Sequence, residues 1–282
     1  MESRVLEELM RGAPVFILIA IRALAMIETA PLLSSDAIPQ AAKLALAGFA
    51  AYTAFPAAQD TIGTVVSSGD IGLMSLSFVL LVIGEGLIGL IMGFFLTIIF
   101  AAFSTAGQFF SLPMGFSASE TFDPISQVEN PLMGQYLNLV AMLVFLSLGG
   151  FQELFLGGFW RSLQSISIIH LIEAREAVLG MLLRGLSRLF LDAIIISMPI
   201  LGTLFLTSLS TGLISKAAPQ INILSEGFPI SITVAFVLIF ATLPFMVEAF
   251  GRVLEVGFQT LETLYRQIGR QIAASGGPGY YV

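Results

Sequence analysis

The chain contains no cysteine and a single histidine, His170. The first absence excludes a disulfide framework and a thiolate metal site. The second excludes a multi-histidine metal site, and His170 by itself reads as an interfacial side chain. Charge is equally scarce. Asp, Glu, Lys and Arg make up 11% of the residues, whereas soluble domains carry roughly a quarter. The formal net charge is −7, the wrong sign for a nucleic-acid binder, which needs a basic surface. Neither HExxH nor GxSxG occurs, so a zinc-peptidase or serine-hydrolase reading has no motif to rest on. No internal inverted repeat is visible, which weakens a secondary-transporter reading.

What the chain has instead is apolar surface. Of its 282 residues 56% are hydrophobic, and the mean hydropathy is +0.94. This composition predicts an all-α, polytopic membrane-type helical protein. About 20 apolar residues span a hydrocarbon core, and on that rule about six long hydrophobic segments can be marked. They are Pro14–Thr29, Ala41–Phe55, Leu73–Phe103, Leu132–Leu148, Leu189–Ile214 and Phe228–Phe250. The first two are short and are expected to lean on neighbours. The third is long enough to protrude or to break near Gly84-Glu85-Gly86. Amphipathic stretches precede the fifth segment and follow the sixth. Acidic residues dilute the charge of the first residues, MESRVLEELMRGAP, which read as the lead-in to a retained helix rather than a cleavable signal.

If all six segments cross, Arg4, Arg11, the four arginines between 161 and 188, Arg252, Arg266 and Arg270 share one side. The positive-inside rule makes that side cytoplasmic and turns the 107–131 connection away from it. Gly86, Gly89 and Gly93 recur every three or four residues on one face of the third segment, which allows another backbone to approach closely. Three charges, Arg22, Glu85 and Asp192, fall inside apolar runs, where a lone charge costs several kcal/mol. They either pair across helices or form a proton or ion relay. Pairing is the reading preferred here, because a relay needs more carboxylates or histidines than these.

The segment Gly107–Pro131, GQFFSLPMGFSASETFDPISQVENP, has no lysine or arginine yet carries Phe109, Phe110, Met114, Phe116 and Phe122. Pro113 removes a backbone donor and Gly115 opens backbone angles closed to other residues, so a loop is expected from Gly107 onwards. Irregular backbone at membrane depth is tolerated where protein buries it or where it lines a watery cavity. The loop is thus either an apolar seal in a conduit or a packing loop whose Met and Phe fill gaps.

Three signatures in collinear order connect these features to a known family. They are Arg22-Ala-Leu-Ala with Thr29-Ala-Pro31 and Pro39; Gly107 to Pro124, ending Phe122-Asp123-Pro124; and Ala218-Pro219-Gln220-Ile221 followed by Gly227-Phe228-Pro229. From about residue 14 to 250 the chain resembles the flagellar biosynthesis protein FliR family, and the related SctT family of virulence secretion systems shares the plan. The resemblance implies a FliP-like part, residues 1–190, fused to a FliQ-like helical hairpin, residues 191–282, with an amphipathic tail. It implies a non-enzymatic subunit of the type III export gate, with no cofactor, in the bacterial inner membrane at the flagellar basal body. FliP-like, FliQ-like, FlhB-like and FlhA-like proteins would be its partners, unfolded export substrates its cargo, and nucleic acid none of its concern. The 107–131 loop would be the plug, with Phe109, Phe110, Met114, Phe116 and Phe122 as its apolar side chains and Gly115 as its pivot. Pro219, Gln220, Gly227 and Pro229 would be signature positions. A small-solute or ion transporter built on Arg22, Glu85 and Asp192 is the reading from a different class.

Overall fold

A computed structural model of the chain describes residues 2–59, 62–63, 75–115, 132–165, 172, 174–217 and 223–274, with side chains for all of these except 2–11, 165, 223–226, 228 and 269–274. Every described element is a helix. In order they are α1 (Glu2–Thr29), α2 (Gln40–Ala58), α3 (Leu76–Met114), α4 (Leu132–Ser147) and the short α5 (Gly150–Gln152). A π-helix (Glu153–Trp160), α6 (Arg161–Ser165), α7 (Arg175–Ala217) and α8 (Ile223–Ala274) complete the chain. Among the described residues, four helices are long and apolar enough to cross a membrane: Gly12–Thr29, Leu76–Met114, Arg175–Ala217 and Pro229–Ile268. A fifth is reached if Leu132–Ser147 and Gly150–Gln164 form one bent span.

The six marked segments thus give four or five candidate spans among the described residues. The second segment drops out. The apolar residues of α2 are mostly alanine, which offers little area to lipid, and Ala47, Ala51, Ala54 and Ala58 are buried at helical spacing. This smooth stripe lets α2 pack closely along α1. The later segments lengthen instead. The amphipathic stretch and the fifth segment form one helix of 43 residues, and the sixth joins its amphipathic sequel in one of 52. Only Gly251 marks the second junction, and a lone glycine costs a helix about 1 kcal/mol relative to alanine, too little to end it.

The chain divides into two compact units. The first comprises Met1–Thr97, Gly149–Arg184 and Val256–Val282; the second comprises Ile98–Leu148 and Gly185–Glu255. In the first, Leu18, Ile19, Met26 and Ile27 of α1 and Ile88 and Leu96 of α3 are fully or almost fully buried. In the second, Phe100 stacks edge-on with Phe145 at 5.5 Å, and Phe103 meets Phe250 at 4.2 Å between ring centroids. Such aromatic pairs contribute beyond their buried area. Gly107 lets α3 close on α4: a Cβ there would meet the Met133 carbonyl and the Gly134 backbone.

Candidate functional site

The helix α3 does not stop where a loop was expected. It continues through Gly107, Phe109, Phe110 and Pro113 to Met114. Pro113 sits in the last turn, where its missing N–H forfeits one hydrogen bond and ends nothing. The break comes at Gly115, with φ of +89°, the left-handed residue that commonly terminates helices; its N–H donates to the Leu112 carbonyl at 3.1 Å. Within this final stretch Phe110 and Met114, four residues apart, are both fully buried, Phe109 is half-buried and Leu112 is exposed. Phe116, Phe122 and the rest of 116–131 lie outside the described residues, as do Pro219 and Gln220. Gly227 and Pro229 fall in the first turns of α8, Pro229 exposed.

The glycine stripe of α3 faces α1. A Cβ on Gly89 would strike the Arg22 carbonyl oxygen, one on Gly93 would strike the Thr29 side chain and the Met26 carbonyl, and Gly86 lies against Ile21. Contact at this distance is sealed by a hydroxyl: Thr97 Oγ1 donates to the Thr29 carbonyl at 2.7 Å. Because the first obstacle to a side chain at 89 is backbone rather than a movable side chain, Gly89→Leu is expected to exceed ordinary overpacking, about 1–3 kcal/mol. Thermal unfolding of the purified chain measures it, and an unchanged midpoint would mean that α1 and α3 can separate at no cost. The outer face of α3 is apolar too: Ile83, Leu87, Leu90 and Phe94 are all exposed.

Close packing at the glycines brings two of the three apolar-run charges together. Arg22 Nε donates to Glu85 Oε2 at 2.5 Å, and Arg22 Nη1 donates to Ser162 Oγ at 3.2 Å. Arg22, Glu85 and Ser162 are all buried. The Ser162 hydroxyl in turn donates to the Phe159 carbonyl at 2.7 Å, so the same oxygen accepts from the guanidinium and fixes its own rotamer. Desolvating two charges costs several kcal/mol each, and the pair recovers this only with good geometry and saturated hydrogen bonding. The arrangement holds a salt bridge in place; it offers no open face to a substrate. Asp192, in the second unit, has a separate partner one turn away on α7, Arg188, at 3.4 Å.

Several contacts carried no sequence signal. Lys43 is buried and donates to Glu28 at 3.0 Å and to the Ser34 carbonyl at 3.2 Å, closing the α1–α2 connection. Glu262 accepts from both Arg161 and Arg266; only the 262/266 spacing is readable in advance, as a helical i,i+4 pair. The π-helix Glu153–Trp160 contains Gly157 and Gly158, the latter against Met92. Among the described residues no group of three His, Cys, Asp or Glu is placed to hold a metal ion.

The profile of the family described as bacterial export proteins, family 1, matches residues 13–256, the whole interval containing the glycine stripe, the ion pair and the end of α3. The flagellar biosynthetic protein FliR of Borreliella burgdorferi is 33% identical over 196 residues, 69% of this chain and 73% of its own. That of Bacillus subtilis is 27% identical over 258 residues, 91% of this chain and 96% of its own. The surface presentation of antigens protein SpaR of Shigella flexneri is 27% identical over 180 residues, 62% of this chain and 68% of its own. The chain is a membrane-type helical protein that belongs to bacterial export protein family 1, the family of the flagellar biosynthetic proteins FliR.

Proposed function

We propose that the chain is a non-enzymatic subunit of the flagellar type III export gate, where it forms the channel for unfolded substrates together with FliP-like and FliQ-like subunits. The observation that carries this reading is the match to flagellar FliR proteins, which covers 91% of the chain in the Bacillus subtilis case. The proposed site is the inner membrane, at the flagellar basal body, with FlhB-like and FlhA-like proteins as further neighbours. Exposed apolar surface supports a setting of lipid and partner helices. Only 17% of the most apolar window of α8 and 33% of that of α7 are buried within the chain, and soluble monomers rarely leave apolar patches of such extent uncovered.

The proposed plug is the segment that leaves α3 at Gly115. Phe110 and Met114 hold its root in the second unit, and Phe116 and Phe122 are the side chains assigned to closing the pore. Apolar bulk closes a conduit by excluding water. A virulence secretion role is the second reading, and the match to SpaR favours it to a lesser extent, over 62% of the chain. The transporter reading is weaker, because Arg22 and Glu85 face each other in a closed bond and Asp192 has its own arginine.

Co-purification and complementation test the proposal together. Expressed with flagellar genes, the chain is expected to be recovered with FliP-like and FliQ-like proteins, and to restore motility to a strain lacking its own FliR. Recovery alone, as a monomer or homo-oligomer that moves a small solute across vesicles, would replace the export reading by the transporter.

A further inference from the structure

The family match ends at residue 256, yet α8 runs on to Ala274. This continuation is not a free tail. Leu261, Leu264, Tyr265 and Ile268 are buried, at the i, i+3, i+4, i+7 spacing of one helix face. They belong to the first unit, which also contains Arg22, Glu85 and Ser162. The connection between the two groups runs through adjacent residues of α6. Arg161 Nη1 donates outward to Glu262 Oε1 at 2.6 Å, while the next residue, Ser162, accepts from Arg22 at 3.2 Å. One turn beyond Glu262, Tyr265 turns inward and is buried. Its hydroxyl has no hydrogen-bond partner among the described residues, so what Tyr265 supplies there is the bulk of its ring.

We infer that residues 256–268 of α8 are a built-in cover for the Arg22–Glu85 salt bridge, and that Tyr265 is the residue that keeps water away from it. The physical need is plain. A charge pair is strengthened by a low local dielectric and weakened when water reaches it. The exposed Arg161–Glu262 bridge, with side chains 51% and 37% exposed, contributes little energy of its own. Its part is to hold the cover in register.

A double-mutant cycle separates a cover from ordinary packing. Tyr265→Ala is introduced into the full chain and into R22M/E85L, where apolar side chains replace both charges. A cover predicts a several-fold loss of folded chain from Tyr265→Ala in the parent and a much smaller loss in R22M/E85L. An equal loss in both backgrounds, or no loss in either, overturns the inference. Should R22M/E85L not fold, Ser162→Cys reads the same property directly, because the natural chain has no cysteine. In monodisperse material a water-soluble maleimide is expected to leave this thiol unmodified when Tyr265 is present and to label it in Tyr265→Ala. Labelling at equal rates with and without Tyr265 contradicts the cover.

Discussion

Glu85→Leu is expected to destabilise the chain by about 3–5 kcal/mol, the cost of leaving a buried charge without its partner. Arg22 is fully buried, and the change removes the carboxylate to which its Nε donates. The double variant R22M/E85L is expected to regain that stability or surpass the parent, since well-packed apolar replacements of a buried ion pair are often neutral or stabilising by about 1–4 kcal/mol. Thermal unfolding of the detergent-purified chains measures both. The same variants bear on function. If the pair is structural, R22M/E85L should support export wherever the complex forms, and Asp192→Asn should do likewise. A complex that assembles normally and no longer exports would make these charges a relay.

Phe110→Ala is expected to cost a similar amount, about 3–5 kcal/mol, and Met114→Ala about 2–5 kcal/mol, as large-to-small changes in a packed core do. Both side chains are fully buried at the end of α3. The expected signature is poor recovery of the complex with no ion leak through the complexes that survive. If these two residues are the seal itself, as a loop beginning at Gly107 implies, the outcome is reversed: normal recovery and a leak. Measuring yield and conductance on the same preparations distinguishes an anchor from a seal.

The difference between those two roles shows how far the sequence can be read. Hydropathy locates the apolar helices because lipid and core make the same demand on every residue of a span. It does not locate helix ends with equal force. Pro113 and Gly115 both signal a break, yet α3 runs through Pro113 and ends at the left-handed glycine. The glycines at 86, 89 and 93 announce a close helix contact but not which helix, and α1 turns out to supply it. Arg22 and Glu85 are conspicuous as charges in apolar runs, 63 residues apart. Their third member, Ser162, is 140 residues from Arg22 and is one serine among many. The packing of α8 back onto the first unit is likewise invisible to periodicity, because an amphipathic helix shows that it has an apolar face without showing what covers it.

The proposed plug closes an export channel with apolar side chains beyond Gly115. The most direct measurement is the ion conductance of the reconstituted complex carrying Phe116→Ala and Phe122→Ala together. The parent complex is expected to be closed. The double variant, recovered in the same yield with the same partners, is expected to conduct, because a pore stripped of its apolar constriction fills with water. Conductance as low as the parent's, at equal yield, would contradict the claim.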